Sequence, residues 1–220
     1  MDSTPSAVAT TKKRGPGEEG EEKLRGEYTV LGVDVGLKNL ALCALKVSDR
    51  ETPKKRKKDG SKDVRGVLFW ETIDCTRGAG DSGVRAAPPI ARQVELVVAA
   101  LGAAAIPGGL REVIIEAQPA GSRGGNTVMK CLQHAIQVWF MCRSDARVVR
   151  MVPAACKLGR GAPASYAARK KLAVTIARGA VSDLAAANAT CVLTDRWVRK
   201  LGDSKKADDL ADSFLLAWRG

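Results

Sequence analysis

Histidine and paired cysteines are scarce in this sequence, which limits the kinds of site that it can build. Its 220 residues include one histidine, His134, and six cysteines that stand singly, without a Cys-x-x-Cys pair. Structural zinc sites use cysteine and histidine at short spacings, and disulfide frameworks belong to small secreted domains. The composition therefore argues against both, and we expect an intracellular, reducing compartment.

Long apolar runs are also missing. No stretch approaches the roughly 18 uncharged apolar residues that a membrane-spanning helix needs. The first 26 residues lack the apolar core of a secretory signal. Residues 1–27 are rich in Ser, Thr, Pro, Gly, Lys and Glu without apolar periodicity, which predicts a disordered tail. We expect no membrane partner, and we expect residues 28–220 to form one domain.

Aromatic residues make up 4% of the chain and do not alternate with basic ones, so a stacking platform for single-stranded nucleic acid is not expected. Positive charge is what the chain has in excess, with a formal net charge of +12. Residues 143–206 carry fourteen basic against four acidic side chains, whereas residues 207–220 are net acidic. A basic region that closes on an acidic cluster favours a polyanionic partner together with a local cation site.

A basic loop is predicted over residues 50–65. Its run 53–58 has the composition of a nuclear import signal. An exposed hairpin loop that contacts DNA explains the same residues equally well, so a nuclear location stays one of two expectations.

Apolar runs and amphipathic segments alternate in a way that predicts an α/β fold. The strands are predicted over residues 28–36, 40–47, 67–73, 112–116 and 147–152. Helices are predicted over residues 88–101, 127–142, 165–181 and 205–218, with residues 185–201 divided between short helix and loop. Short connections make the first three strands an antiparallel meander. The later alternation of helix and strand completes a mixed sheet that differs from a Rossmann repeat.

Five acidic residues are candidates for a cation site. Asp34 interrupts an otherwise apolar predicted strand, where an unpaired carboxylate is costly. Glu116 ends another apolar strand beside a glycine-rich stretch. On the terminal helix, Asp208, Asp209 and Asp212 share a face because residues three and four apart are neighbours. Taken singly, each has a plainer explanation: an Asx-turn, a solvated strand end, or an acidic helix face whose N-cap is Asp208 or Asp209.

Three segments carry a resemblance when they are taken together and in order. Residues 33–41 contain Asp-x-Gly-x-Lys-Asn, residues 115–118 are Ile-Glu-Ala-Gln, and residues 205–215 contain Lys-Lys-x-Asp-Asp-x-x-Asp-Ser. They resemble the Holliday-junction resolvases of poxviruses and other large DNA viruses, the mitochondrial junction resolvases and, more distantly, bacterial RuvC. The resemblance covers residues 28–218. It implies a ribonuclease H-like α/β fold with a mixed five-stranded sheet and a C-terminal helix that carries catalytic acids.

The same resemblance implies a Mg²⁺-dependent, structure-specific endonuclease that resolves four-way DNA junctions by paired phosphodiester hydrolysis. In a virus, this activity would serve concatemer resolution and genome processing, in the cytoplasm of the host cell if the virus is a poxvirus. No nucleotide cofactor is implied. Two Mg²⁺ ions per site, for which Mn²⁺ would substitute, need several carboxylates to offset their charge and fix their geometry. The implied catalytic and metal-binding acids are Asp34, Glu116, Asp209 and Asp212, with Asp208 as the alternative on the helix.

A lysine that stabilises charge on the scissile phosphate is implied as well, and Lys171 is our choice, with Lys170 nearly equal. Phosphate contacts position a duplex without reading its bases, which suits an enzyme that selects a branched shape. The side chains expected to contact DNA are Lys38, Arg123, Lys157, Arg160, Arg169, Lys170, Lys205 and Lys206.

Two symmetric cuts across a junction call for a twofold homodimer. The helix after the glycine-rich stretch carries an apolar stripe that is a candidate interface, with core packing as the alternative. The stripe consists of Met129, Leu132, Ile136 and Phe140.

Other functions stay open at this point. An RNA–DNA hybrid ribonuclease or a mitochondrial-type resolvase shares the same acids. A non-catalytic, basic DNA-binding module explains the charge, but it gives Asp34 and Glu116 no purpose. An actin-like kinase or ATPase also begins with Asp-x-Gly after a strand, yet it needs a duplicated domain for which 220 residues leave no room.

Overall fold

Five strands and six helices make up the part of the chain that the computed structural model describes. That part comprises residues 26–48, 62–76, 89–118, 126–143, 145–159, 161–187 and 192–220, with the backbone alone for residues 192–195. The strands are β1 (Glu27–Asp34), β2 (Leu40–Ser48), β3 (Val64–Ile73), β4 (Leu110–Ala117) and β5 (Val148–Pro153). The helices are α1 (Ile90–Ala103), α2 (Thr127–Arg143), α3 (Ala155–Leu158), α4 (Tyr166–Ala187), α5 (Val192–Asp203) and α6 (Ala207–Arg219). None of these helices combines the length and the apolar character needed to cross a membrane.

The strands form one mixed sheet in the order β3-β2-β1-β4-β5. The first three strands pair antiparallel, and β4 and β5 continue the sheet parallel to β1. This confirms the predicted five-stranded sheet with its antiparallel meander. Because β1, β4 and β5 run in the same direction, their carboxyl ends meet at one edge of the sheet.

Helices cover both faces of the sheet, and alternate residues of each strand point to opposite sides. On one face α1 and α2 bury Leu132 and Phe140 against Leu31 of β1. On the other face α4, α5 and α6 enclose a second cluster, in which Phe214 and Val30 are buried together. The sheet is therefore covered on both sides, and its carboxyl edge is left for a site.

Several elements differ in length from the sequence prediction. β1 begins at Glu27, inside the predicted tail, and β3 begins at Val64, inside the predicted basic loop, because Val64 pairs with Val47 of β2. α4 continues to Ala187 through an alanine-rich stretch that favours helix. Residues 192–203 form a full helix, α5, where short helix and loop were predicted. Most of the predicted tail and basic loop, including residues 53–58, lies outside the described residues.

Candidate active site

Two carboxylates come from neighbouring parallel strands. Asp34 is the last residue of β1 rather than central in it, and Glu116 is the penultimate residue of β4. The register pairs Val33 with Ile115, so the two acids that follow lie side by side at the carboxyl edge of the sheet. The three residues directly before each acid, 31–33 in β1 and 113–115 in β4, are buried, and Asp34 and Glu116 follow where the strands leave the core.

The third group of acids is brought to this edge by α6, which lies unusually close to β1. A Cβ atom at Gly32 would lie 2.1 Å from the carbonyl oxygen of Ser213 and 2.6 Å from the amide nitrogen of Ala217. Only glycine lets the helix backbone approach the strand at this distance. The indole nitrogen of Trp70 donates a hydrogen bond of 2.9 Å to the carbonyl oxygen of Leu210 and fixes the first turn of α6.

Asp208 and Asp209 lie in that first turn, with Lys206 as the N-cap residue. Neither aspartate is therefore the N-cap, which rules out one of the plainer explanations for the acidic helix face. Asp209 and Asp212 are both more than four-fifths buried at their side chains, and Asp212 shares the ammonium group of Lys157 with Glu116. The cluster thus belongs to an enclosed site.

Lys157 lies at the centre of the acids. Its Nζ atom is 2.8 Å from Oδ2 of Asp212, 3.0 Å from Oε2 of Glu116 and 4.0 Å from Oδ1 of Asp34. The residue is only 7% exposed. One ammonium group therefore joins carboxylates from two strands and one helix. Lys157 is one of the side chains that the sequence predicts to contact DNA, and its central position among the acids is not evident from the sequence.

A topological signal could have located Lys157. It lies in the short helix α3, which follows directly after β5. Since β5 is parallel to β1 and β4, whatever follows Pro153 must lie at the same sheet edge as Asp34 and Glu116. Four residues give no helical periodicity to detect, so only this argument from parallel strands would have found the residue.

Asp34 and Glu116 titrate as a pair. Burial is the main cause that raises the pKa of Asp34 well above its ordinary value, and its hydrogen bond with Glu116 raises it further. Burial also works against ionisation of Glu116, but the hydrogen bond from Asp34 and the charge of Lys157 outweigh it and lower the pKa of Glu116. The two shifts run in opposite directions, so a proton shared by the metal-free pair is favoured on Asp34, which then donates to Glu116.

The acids of α6 differ in their partners. Burial raises the pKa of Asp209, and the neighbouring charge of Asp208 adds to this. Burial also raises the pKa of Asp212, although the charge of Lys157 opposes it. Asp208 instead accepts a hydrogen bond from Lys170, which outweighs partial burial and lowers the pKa of Asp208. The Nζ atom of Lys170 also lies 3.9 Å from Oδ1 of Asp209.

The donor set fits hard divalent cations. Carboxylate oxygens are the ligands that Mg²⁺ and Mn²⁺ prefer, and one of them, Oδ2 of Asp209, is buried without a hydrogen-bond partner among the described residues. A buried acceptor without a partner is costly unless it serves a ligand. In the described part of the chain no three His, Cys, Asp or Glu side chains are already gathered in metal-binding geometry. Lys157 supplies the positive charge between Glu116 and Asp212 instead.

The structure brings together Asp34, Glu116, Asp208, Asp209 and Asp212, and it adds Lys157 and Lys170 to them. It does not bring Lys171 to the acids: this side chain is exposed, and no ion pair between described residues includes it. Arg123 and Arg160 lie outside the described residues. The remaining predicted DNA contacts are exposed, namely Lys38, Arg169, Lys205 and Lys206.

Comparison with known proteins gives matches of structure but none of sequence. No protein-family model matches the sequence, and no curated protein does. The fowlpox virus resolvase, solved with its substrate Holliday junction DNA, superposes with a TM-score of 0.51 at 18% identity over 86% of this chain and 93% of that one. The yeast mitochondrial Holliday junction resolvase gives 0.47 at 16% identity over 86% and 76% of the two chains. RuvC of Thermus thermophilus gives 0.45 at 16% identity over 86% and 90%.

At this level of identity the likeness concerns the fold. The match to the fowlpox structure covers 86% of this chain, so it concerns most of the fold. The sheet order and the mixed pairing agree with the fold that the three sequence segments predict. This chain therefore has the ribonuclease H-like fold of the Holliday junction resolvases.

Proposed function

We propose that the chain is a Mg²⁺-dependent endonuclease that resolves four-way DNA junctions. One observation carries the proposal: buried carboxylates from β1, β4 and α6 converge at the carboxyl edge of the sheet, and one of their oxygens, Oδ2 of Asp209, lacks a hydrogen-bond partner among the described residues. Acids with a purely structural role are hydrogen-bonded, and acids at the surface are hydrated, so neither kind explains a buried oxygen without a partner. A fold shared with the fowlpox resolvase supports the same function.

The four acids proposed to hold the ions are Asp34, Glu116, Asp209 and Asp212. When bound, two divalent ions would lower the pKa of an attacking water and stabilise the leaving oxygen of the phosphodiester. The chain positions the carboxylates for this on rigid strands and on a helix that is fixed by Trp70 and Gly32. Asp209 is favoured over Asp208 because Lys170 already engages Asp208.

The lysine that stabilises phosphate charge is proposed to be Lys157 or Lys170 rather than Lys171. Both ammonium groups lie within ion-pair distance of the acids. Lys171 lies one residue from Lys170 on α4 but on its solvent-exposed side. It is better placed to contact a more distant DNA phosphate, together with Arg169.

The proposed activity is tested by the choice of substrate. With Mg²⁺ the full chain should cut a four-way junction into paired, nicked duplexes, and it should cut linear duplex of the same sequence far more slowly. With EDTA in place of Mg²⁺, cleavage should stop. Preference for an RNA–DNA hybrid would overturn the junction-resolving activity in favour of the ribonuclease alternative. Tight binding without cleavage under all conditions would instead support a non-catalytic DNA-binding module.

The homodimer that paired cutting requires needs a surface other than the apolar stripe of α2, for which core packing, the alternative reading of the sequence, is what the structure shows. Leu132, Ile136 and Phe140 of the apolar stripe are fully buried in the core, so they are not available to a partner. The opposite face of α2 exposes Val138 by 57% and Met141 by 64%, and Val148 of the edge strand β5 is 47% exposed. We propose these three residues as the centre of the dimer contact.

Charge placed on this patch should separate the dimer. We expect Val138→Asp with Met141→Asp to convert a dimer into a monomer, because a desolvated carboxylate opposes association. Size-exclusion chromatography with light scattering measures the mass, and paired cleavage should become single nicking. Lys130→Asp, on the same helix, serves as the control for charge alone. A wild-type chain that is monomeric at micromolar concentration would contradict the proposal.

We propose further that the activity resolves the concatemers formed when a viral genome is replicated. This is supported by the motif resemblance to poxviral resolvases and the fold shared with the fowlpox protein. Its substrate would be branched, replicated DNA.

A further inference from the structure

Lys157 is placed where a metal ion would have to bind. Its ammonium group lies within 3.0 Å of carboxylate oxygens on both Glu116 and Asp212, two of the four acids proposed as metal ligands. An ammonium ion and a divalent metal compete for the same oxygens, and their like charges repel strongly at short distance in a buried site. The two cations are therefore mutually exclusive between these acids.

We propose that Lys157 is a built-in substitute for the divalent ion: it neutralises and spaces the carboxylates in the metal-free chain, and the metal enters by displacing its ammonium group. This inference rests on the proposed metal-dependent function and adds a role for a residue that the sequence analysis assigned to DNA contact. It makes Lys157 a positioning residue in the metal-free state.

The backbone around Lys157 can stay in place while the side chain leaves. Its amide donates to the carbonyl oxygen of Ala154 at 3.2 Å, and its carbonyl oxygen accepts from Nη1 of Arg219 at 3.4 Å. The backbone of α3 is thus tied to the end of α6. A lysine stem has four flexible carbons, so rotation about its own bonds moves the ammonium group by several ångströms without moving the helix.

Burial and charge explain why the chain needs such a cation. Asp34, Glu116 and Asp212 are all less than one-fifth exposed at their side chains. Buried carboxylates without a counter-ion repel one another when ionised, which opposes the packing of α6 on the sheet. Lys170 neutralises Asp208 and lies 3.9 Å from Asp209, so it does not take over this role between Glu116 and Asp212.

The test measures metal binding directly, without DNA. Isothermal titration of the full, metal-free chain with Mn²⁺ is compared between wild type, Lys157→Met and Lys171→Met. Methionine keeps the length and apolar stem of lysine and removes its charge. We expect Lys157→Met to bind Mn²⁺ about tenfold more tightly, the lower end of the range over which groups around metal ligands tune affinity. Lys171→Met controls for the loss of one positive charge nearby and should bind like wild type.

A measurement on the wild-type chain covers the case in which Lys157→Met does not fold. The chain is labelled with ¹⁵N and ¹³C lysine, and the side-chain signals of Lys157 are followed by NMR as Mg²⁺ is added. We expect these signals to shift in step with Mg²⁺ binding, while those of Lys171 stay in place.

The outcomes separate this inference from the function on which it rests. Equal or weaker Mn²⁺ binding by a folded Lys157→Met, or Lys157 signals that stay constant while Mg²⁺ binds, overturns the displacement by itself. Failure of both wild type and Lys157→Met to bind either ion overturns the proposed metal-dependent function. Tighter binding by Lys157→Met alone supports the displacement.

Discussion

Asp34→Asn should abolish junction cleavage and make the metal-free protein more stable. The amide cannot offer the anionic oxygens that a divalent ion requires, and losing several kcal/mol of transition-state stabilisation corresponds to a rate loss on the order of a thousandfold or more. Stability should rise because burial opposes ionisation of Asp34, which is what raises its pKa. Asparagine keeps the shape and can still donate a hydrogen bond to Glu116, as protonated Asp34 does.

The gain in stability should depend on pH in a defined direction. Because the pKa of Asp34 is raised in the folded state, the unfolded chain releases this proton at lower pH than the folded chain does. The contribution of Asp34 to wild-type stability therefore falls as pH rises from about 4, the ordinary pKa of aspartate, through the raised pKa of Asp34. The advantage of Asp34→Asn should be absent below about pH 4 and grow above it.

Thermal unfolding in EDTA measures this advantage. An increase of about 2–4 °C at neutral pH corresponds to about 1 kcal/mol for a chain of this size. Asp212→Asn should also abolish cleavage but bring less stability, because it removes the 2.8 Å ion pair with Lys157. Asp203→Asn, at an exposed position on α5, controls for the substitution itself and should change neither property. Normal cleavage by Asp34→Asn or Asp212→Asn would exclude the proposed metal site.

The fold was predictable because its strands carry an unusually clear signal. Val30, Leu31 and Val33 form a continuous buried run in β1, and Ile114 and Ile115 do the same in β4. Continuous apolar runs are what central strands covered on both faces need. An acid at the end of such a run, as at Asp34, is costly without a partner, and so the strand acids were identified from the sequence.

The lysines were predicted less well, and the reason is geometric. Lys170 and Lys171 are adjacent on α4 and point about 100° apart, so sequence position alone does not tell which one faces the acids. The structure places Lys170 at Asp208 and leaves Lys171 exposed. Lys157 was harder still, because its position depends on where β5 ends relative to β1 and β4, a property of tertiary structure.

Which of Asp208 and Asp209 is the better candidate for a metal ligand also depends on tertiary structure. Both are three or four residues from Asp212, and helical spacing therefore permits either. The difference arises from α4, because Lys170 donates a hydrogen bond to Asp208 while Oδ2 of Asp209 is buried without a hydrogen-bond partner among the described residues. The assignment of Asp209 as a ligand stays a prediction, now with a contact that favours it.

Gly32→Ala should destabilise the protein strongly, because Gly32 lies where α6 packs directly against β1. The new methyl carbon would lie 2.1 Å from the carbonyl oxygen of Ser213 and 2.6 Å from the amide nitrogen of Ala217, both backbone atoms of α6. Neither can move by a side-chain rotation, so the helix must shift away from β1. Overpacking of this kind costs about 1–3 kcal/mol or more, or at least a few degrees in melting temperature.

The shift should reach the acids even in protein that still folds. Asp212 precedes Ser213 directly, so displacing this turn of α6 moves Asp212 relative to Asp34 and Glu116. A misplacement of about 1 Å in a catalytic arrangement can cost on the order of a hundredfold in rate. We therefore expect Gly32→Ala to lower the melting temperature and to lose junction cleavage below that temperature, with circular dichroism confirming that the protein is folded in the assay.

Gly66→Ala is the matched control, because Gly66 also lies in a strand but a Cβ there meets nothing within 4 Å. It should leave both melting temperature and cleavage close to wild type. Should Gly32→Ala cleave normally, the close approach of α6 to β1 would not be what sets the spacing of the carboxylates. In that case the hydrogen bond from Trp70 to Leu210 becomes the next candidate for fixing the first turn of α6, and Trp70→Phe, which removes the donor and keeps an aromatic ring, should lower cleavage.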